Sequence, residues 1–257
     1  MHYKNWVNWI CKFVHYVQKK KWEAEETLKR ACPISVNAED KRYSALFSLL
    51  GQPGQPTKDL LQLAISCATD AIDINLRDIS VRIKKGNPDY ISIYPGEHYK
   101  LLASIIKKLQ PASVVELGTH LGYSSLCMKK YMPMGGVVAT FDIIPWNHFD
   151  DTILNKEDFE QGLVQYTDDL TNPLMVEKHK SLLEGADIIF IDALKDGVQE
   201  YKFLENFSRI EFRKKCLFIF DDIRLWNMLD IWYNLDKPKL DITSFGHWSG
   251  TGLVAWN

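Results

Sequence analysis

Residues 114–125 read VVELGTHLGYSS, an apolar run followed by two closely spaced glycines and two serines. This order predicts a strand, a glycine turn and the first turn of a helix. Glycine at positions 118 and 122 lets the backbone approach a ligand closely, and the N–H groups at the helix start, together with Ser124, can hold a carboxylate. Taken alone, the two glycines are equally compatible with a tight turn that binds nothing.

Glu116 favours a ligand-binding turn, because it stands near the end of an apolar strand, where an unpaired carboxylate is costly. We therefore expect Glu116 to have a cationic partner. A nicotinamide-binding turn reads GxGxxG and wraps a pyrophosphate, whereas this turn has His120 as its third residue and an acid that would repel phosphate. A ligand with an ammonium and a carboxylate fits better, and an NAD-dependent oxidoreductase remains an alternative.

The residues that follow this turn show a repeating pattern of strands and helices. Short apolar runs alternate with amphipathic stretches, which is typical of βα units around a parallel sheet. Each run ends at an acid or a glycine, and the carboxyl ends of the strands face a common ligand crevice in such folds. Two further runs near the end of the chain predict a hairpin with an antiparallel last strand. The sequence therefore predicts a doubly wound α/β fold. The runs are 113–117, 137–141, 188–191 and 217–220, then 241–245 and 252–256.

Acids that follow the predicted strands are the candidate ligand-binding residues. Asp142 stands 24 positions after Gly118, where doubly wound folds place an acid on ribose hydroxyls, and Asp169 could accept from an adenine amino group. Three more acids at the ends of neighbouring strands would form an all-oxygen site suited to Mg²⁺. The alternative is that these acids cap helices or are solvated. The three acids are Asp192, Asp221 and Asp222.

Three segments resemble class I S-adenosylmethionine-dependent methyltransferases, and in particular the divalent-metal-dependent O-methyltransferases of the catechol and caffeoyl-coenzyme A type. They are ELG with GYSS at 116–125, FIDALKD at 190–196 and LFIFDD at 217–222. The resemblance covers about residues 95–257. It implies a Rossmann-like sheet of seven strands with an antiparallel last strand, S-adenosylmethionine as cofactor and a divalent cation such as Mg²⁺.

The resemblance also assigns roles to single residues. Glu116 would meet the methionine amine, Ser124 its carboxylate and Asp142 the ribose, while Gly118 leaves room for the cofactor. The metal would be bound by Asp192, Asp221 and Asp222, although Asp222 replaces an asparagine and adds a negative charge. Lys195 would act as the base. The remaining cofactor-binding candidates are Thr119, Gly122, Tyr123, Ile143, Asp169 and Asp192, and the further catalytic candidates are Asp192 and His247, which precedes the last strand.

These observations predict an O-methyltransferase that acts on a hydroxyl of a small acceptor with the help of Mg²⁺. A sugar or glycan is favoured over a phenol or polyketide by likeness to metal-dependent sugar O-methyltransferases. Tryptophans that could form flat walls of the acceptor site also favour it. One alternative is a metal-independent enzyme in which Asp192 or Asp222 is the base and His120 or His247 assists. Another is a binding module with a decayed site. The tryptophans are Trp146, Trp226, Trp232 and Trp248.

Composition narrows the classes of protein further. A net charge of −2 over 257 residues disfavours a dedicated nucleic-acid binder. Five cysteines without CxxC spacing, including Cys127 and Cys216 in apolar segments, favour free thiols in a reducing, cytoplasmic compartment. No apolar run approaches the ~20 residues that a membrane span requires.

The first third of the chain carries no recognisable chemistry. Residues 1–22 contain five lysines, no acid and apolar residues at helical spacing. This pattern predicts a helix that packs on the main domain or a partner chain, with an interfacial membrane helix as the alternative. Residues 57–72 also have helical periodicity. We expect a helical extension over residues 1–85, a methyltransferase domain over residues 86–257 and a homo-oligomer as one possible assembly.

Overall fold

The computed structural model of this protein describes residues 54–95, 97–225, 227–246 and 249–257. These residues belong to one compact unit, Ser48–Asn257. The helix predicted over residues 1–22 lies outside the described residues. The helices are α1 Lys58–Asp70, α2 Arg77–Ser80, α3 Asp89–Ser92, α4 Tyr99–Leu109, α5 Tyr123–Tyr131, α6 Pro173–Lys178, α7 Lys180–Glu184, α8 Gln199–Phe207 and α9 Met228–Asn234.

Seven strands form a single sheet in the described part of the chain. The strand order is β3-β2-β1-β4-β5-β7-β6, and the first five strands run parallel while β7 is antiparallel to both of its neighbours. This is the predicted doubly wound sheet with an antiparallel last strand. The strands are β1 Ser113–Leu117, β2 Val137–Phe141, β3 Leu163–Tyr166, β4 Ile188–Ile191, β5 Leu217–Asp221, β6 Lys239–Asp241 and β7 Thr251–Ala255.

The core lies on both faces of the sheet. Val114 belongs to one apolar cluster with Phe190, and its neighbour Val115 belongs to the other with Phe218. Because successive side chains of a strand point to opposite faces, strands that are covered on both sides need continuous apolar runs. Phe218 also stacks on Trp256 with 4.1 Å between ring centroids. These runs leave most of the polar side chains at or near the strand ends, as with Glu116 at the fourth position of β1.

The residues before α4 contribute to the same core. Thr57 caps α1 by accepting a hydrogen bond from the Leu60 N–H at 3.1 Å, which satisfies one of the N–H groups left over at a helix start. Cys67 of α1 is fully buried in the cluster that contains Leu101 of α4. The predicted helix over 57–72 is therefore confirmed as α1, while a domain boundary after residue 85 remains a prediction.

The hairpin near the end of the chain differs from the prediction in one detail. The run 241–245 was expected to be a strand, but β6 ends at Asp241 and residues Thr243–Phe245 form a 3₁₀ turn. The Asp241 carboxylate accepts hydrogen bonds from the N–H and hydroxyl of Thr243, the first at 2.9 Å. This local capping competes with the sheet ladder and ends the strand.

Three cysteines of the described residues, Cys67, Cys127 and Cys216, are buried free thiols. This agrees with the prediction for Cys127 and Cys216. Among the described helices, none is long and apolar enough to cross a membrane.

Candidate active site

The two glycines of the 114–125 segment are required by close packing. Gly118 has φ +102°, and a Cβ atom there would lie 2.0 Å from the backbone oxygen of Asp192, the residue that follows β4. Gly122 has φ +84°, and a Cβ atom there would lie 2.3 Å from the Leu154 side chain. Both positions thus need glycine for packing and backbone conformation. Their proposed proximity to a cofactor remains a prediction.

Glu116 is fully buried and is held by hydroxyl groups. Ser124 and Ser125, at the start of α5, each donate a hydrogen bond to one of its carboxylate oxygens. Burial raises the pKa of Glu116 to about 7, although these hydroxyls oppose the rise. Within the described residues these hydroxyls, and no ion pair, hold the Glu116 carboxylate. Contact with a cofactor amine remains a prediction.

A glutamine at position 116 should change how stability depends on pH. The folded protein keeps the Glu116 proton up to about pH 7, whereas the unfolded chain releases it near 4.5. Wild-type stability therefore falls as pH rises from 4.5 to 7, by about 1.4 kcal/mol per unit and roughly 3 kcal/mol in all. Glu116→Gln lacks this loss. Urea unfolding at several pH values should show the variant gaining on wild type between pH 5 and 8.

Asp158→Asn provides the matched control for this titration. Arg82 holds the pKa of the Asp158 carboxyl below its ordinary value against the opposing effect of burial. The stability from Asp158 is thus complete above its ordinary pKa of 3.8 and is lost only at lower pH. The difference between wild type and Asp158→Asn should be constant from pH 5 to 8. If the difference in stability between wild type and Glu116→Gln were also constant over this range, the raised pKa assigned to Glu116 would be wrong.

Asp142 joins the glycine turn to the end of β2. Its carboxylate accepts hydrogen bonds from the His120 N–H and the Ile144 N–H, both at 2.9 Å. His120 itself has φ +43°, and burial lowers the pKa of its imidazole, which favours the neutral ring. The half-exposed Asp142 thus lies beside the turn, with Ile143 exposed next to it. Its contact with a ribose remains a prediction.

Other predicted cofactor residues have local partners. Asp169 is exposed and accepts two hydrogen bonds from Thr171, its N–H and its hydroxyl, both at 2.8 Å. Thr119 forms a buried hydrogen bond with Thr140 at 2.8 Å. Tyr123, the first residue of α5, is half-buried. For Asp169 this geometry is that of a turn-stabilising acid, and the contact with adenine remains a prediction.

Lys195 lies among the three acids predicted to bind metal. Its Nζ atom contacts Asp192 Oδ1 and lies 3.0 Å from Asp222 Oδ2 and 3.8 Å from Asp221 Oδ2. Burial alone would lower the pKa of Lys195, but the three carboxylates outweigh it and raise the pKa above its ordinary value. Burial likewise raises the pKa of Asp192, although Lys195 opposes this. The predicted residues therefore meet at the carboxyl ends of β4 and β5.

Glu200 holds the loop that carries Lys195. Its carboxylate accepts hydrogen bonds from the N–H groups of Lys195 at 2.7 Å and Gly197 at 3.0 Å. Lys195 has φ +59° and Asp222 has φ +56°, a region that L residues occupy at an energetic cost of roughly 1–2 kcal/mol. Ser249 donates a hydrogen bond to Asp222. Two loops thus keep unfavourable backbone conformations at the residues that meet in the site.

His98 belongs to the same cluster and was not predicted. It precedes α4, is 2% exposed, and its Nδ1 atom lies 3.1 Å from Asp221 Oδ1. Nearby, partial burial and Glu97 raise the pKa of the half-exposed Tyr90 to about 12. Neither residue follows a strand, so the strand-end pattern could not reveal them. The predicted residue His247, with Trp226 and Trp248, lies outside the described residues.

The part of the chain that contains these residues is similar to known proteins. A family model described as "O-methyltransferase" matches residues 64–233, which include every acid of the cluster and Lys195. A segment of 135 residues is 24% identical to catechol O-methyltransferase B of Danio rerio, covering 48% of this chain and 47% of that protein. The chain thus spans about half the length of the curated relative it matches.

Two solved structures are similar to this chain. A methyltransferase from Geobacter sulfurreducens has a TM-score of 0.46 and 17% identity, covering 73% of this chain and 87% of its own. The SAH-bound methyltransferase of Podospora anserina has a TM-score of 0.49 and 15% identity, covering 86% of this chain and 97% of its own.

Proposed function

This chain is a member of the O-methyltransferase family, and we propose that it transfers the methyl group of S-adenosylmethionine to a hydroxyl of a small acceptor. The observation that carries the proposal is the position of Lys195 among three carboxylates, directly beside the glycine turn. Gly118 touches the backbone of Asp192, the residue whose carboxylate Lys195 contacts. A cofactor on the turn would therefore have its reactive end next to a residue able to exchange a proton.

For the cofactor we propose the residues around this turn. Asp142, held by the N–H groups of His120 and Ile144, would accept from the ribose hydroxyls. The N–H groups at the start of α5 would bind the methionine carboxylate. The Ser124 hydroxyl is already bonded to Glu116, so we propose that Glu116 acts mainly by fixing this helix start. Thr119, Tyr123, Ile143 and Asp169 complete the proposed cofactor set.

The donor atoms at the carboxyl ends of β4 and β5 fit a divalent cation. Asp192, Asp221 and Asp222 offer carboxylate oxygens, the donors that Mg²⁺ and similar ions prefer, and Lys195 now compensates their charge. A bound divalent cation would supply positive charge that orients the acceptor hydroxyl and lowers its pKa. We propose that these aspartates hold such an ion.

The transfer itself is a direct displacement. The bond from the acceptor oxygen to the methyl carbon forms as the bond from sulfur to that carbon breaks, and the hydroxyl proton leaves to a base. Lys195 Nζ is placed to take this proton once its ion pairs with the aspartates are loosened, because those pairs raise its pKa. The chain's own contribution is therefore alignment of the two substrates and removal of one proton.

For the acceptor we propose a small molecule with adjacent hydroxyls, a sugar or a phenol. The preference for a sugar drew partly on tryptophans, but Trp232 is 2% exposed and packs on Phe220 with 6.2 Å between ring centroids. It is a core residue and cannot form a wall of the site. Exposed apolar side chains at Tyr90 and Leu194, together with the likeness to an enzyme named for catechol, support a phenol.

Binding and turnover experiments test the proposed function. Calorimetric titration should show binding of S-adenosylhomocysteine and no binding of NAD. A panel of catechols and sugars with adjacent hydroxyls, incubated with S-adenosylmethionine, should then give a methyl ether of at least one acceptor, detected by mass spectrometry. Binding of NAD in place of S-adenosylhomocysteine would reject the proposal. Cofactor binding without turnover of any acceptor would favour a binding module.

Removal of metal should abolish methyl transfer. Three carboxylates beside the acceptor are expected to need a divalent cation before the hydroxyl can be activated. Dialysis against EDTA should lower turnover at least about 100-fold, and addition of a divalent cation should restore it. Binding of S-adenosylhomocysteine serves as the control and should survive the chelator. Full turnover in EDTA would instead support the metal-independent alternative with an aspartate as base.

A further inference from the structure

The imidazole of His98 lies beside the aspartates, and its position affects which metal ion they are expected to bind. The two oxygens of the Asp221 carboxylate lie near different side chains. Oδ1 is 3.1 Å from His98 Nδ1, and Oδ2 is 3.8 Å from Lys195 Nζ. His98, Asp192 and Asp221 each offer one donor atom, and these three atoms all lie within 4.8 Å of one another. The imidazole nitrogen thus belongs to the same compact group of donor atoms as the two carboxylates.

These distances suit a common ion. Donor atoms bound to one ion at about 2.1 Å lie about 3 Å apart when adjacent and about 4 Å apart when opposite. The 3.1 Å between His98 Nδ1 and Asp221 Oδ1 already has the spacing of adjacent ligands. The third donor, a carboxylate oxygen of Asp192, lies within 4.8 Å of the other two and would need to move by about 2 Å at most. Asp222 has other contacts, with Ser249 and Lys195, and can keep them.

The ring of His98 is fixed by its surroundings. It packs against Tyr99, with 4.5 Å between ring centroids, and against Phe190 of β4 at 5.5 Å. A ligand whose orientation is set by packing loses little freedom when a metal binds, which raises affinity. The position immediately before α4 also ties the imidazole to a rigid element of the core.

We infer that His98 is a nitrogen ligand of the metal, with Asp192 and Asp221, and that the site therefore prefers a divalent first-row transition ion such as Mn²⁺ over Mg²⁺. Mg²⁺ binds oxygen donors and keeps its waters, whereas imidazole is a common ligand of first-row transition ions. Mn²⁺ is the ion of that series that also suits carboxylate oxygens and water. This inference rests on the proposed function only in placing the ion beside the acceptor. The expected ion is then a transition ion and not Mg²⁺, and His98 takes the place of Asp222 as the third protein ligand.

Electron paramagnetic resonance of added Mn²⁺ tests the ligand directly. The full chain, stripped of metal by chelator, should bind Mn²⁺ at least about tenfold more tightly than Mg²⁺ in a competition titration. Pulsed measurement on the bound Mn²⁺ should show coupling to one imidazole nitrogen. His98→Ala should lose that coupling and bind Mn²⁺ about tenfold more weakly or worse, while its affinity for Mg²⁺ changes by less than about threefold.

His120→Ala is the matched control. The imidazole of His120, like that of His98, interacts electrostatically with Asp192. This variant should retain the nitrogen coupling. His98→Asn keeps a polar side chain should alanine impair folding, and it should also lose the coupling. Absence of coupling in the wild type, equal Mn²⁺ affinity in His98→Ala, or no Mn²⁺ binding would overturn the inference. Binding of S-adenosylhomocysteine, measured separately in chelator, shows whether the proposed function fails as well.

Discussion

Replacement of Lys195 by alanine is expected to lower the rate of methyl transfer by a factor of about 100 or more, which is the lower range for loss of a general base. The reason is geometric. Lys195 Nζ contacts Asp192 and lies 3.0 Å from Asp222, so the variant loses both a proton acceptor and the charge that compensates these acids. Binding of S-adenosylhomocysteine should change by less than about threefold, because the glycine turn and Asp142 are untouched.

The kinetic measurement is kcat with saturating cofactor and acceptor, compared with the calorimetric Kd of S-adenosylhomocysteine. Lys214→Ala is the matched control. Lys214 pairs with Asp187 at 3.0 Å, just before β4 begins, whereas Asp192 follows the end of the same strand. Its removal should leave kcat within about twofold of wild type. A near-wild-type kcat for Lys195→Ala would remove Lys195 from the chemistry.

The pH dependence of kcat separates two roles for Lys195. As a base, it must be neutral in the productive complex, although the aspartates raise its pKa in the structure described here. Wild-type kcat should therefore rise with pH through an ionisation that is absent from the residual activity of Lys195→Ala. A rise that persists in the variant would belong to another group, and Lys195 would then serve to position the acceptor or balance charge.

The sequence predicts the sheet well wherever burial alone determines a strand. Residues 113–117, 137–141 and 188–191 were expected as strands and form β1, β2 and β4 with the same bounds. A strand covered by helices on both faces must be largely apolar, so its ends are visible as a change to polar residues. The cluster of Asp192 and Asp221 followed from the same rule, because parallel strands end at one edge.

The sequence could not reveal features that depend on particular side-chain contacts. β6 is three residues long and includes the buried Lys239, whose Nζ donates to backbone oxygens of residues 233 and 235 at 3.1 and 2.7 Å. Nothing in its composition suggests a strand. His98 lies beside Asp221, with 3.1 Å between Nδ1 and Oδ1, although the two residues are far apart in the sequence. Glu116 accepts hydrogen bonds from Ser124 and Ser125 at the start of α5. In each case the geometry of a particular side-chain contact, and not the hydrophobic pattern, determines where the residue lies.

Replacement of Gly118 by alanine is expected to destabilise the protein strongly. The added Cβ would lie 2.0 Å from the Asp192 backbone oxygen, so the end of β1 and the residue after β4 would have to separate by about 1 Å. Positive φ at a non-glycine residue costs a further 1–2 kcal/mol or so. Together we expect a loss above about 4 kcal/mol in urea unfolding, or a chain that does not fold.

Gly86→Ala measures the cost of the backbone conformation alone, without a contact like that between position 118 and Asp192. Gly86 has φ +101°, close to the +102° of Gly118, and a Cβ atom there meets nothing within 4 Å. This variant should lose only about 1–2 kcal/mol, and the excess loss in Gly118→Ala then measures the contact between the two strand ends. Because that contact sets the distance from the glycine turn to Asp192, any folded Gly118→Ala protein should also have a lower kcat. Equal losses in the two variants would mean that the strand ends can separate freely, and the turn would then not fix the cofactor against the aspartates.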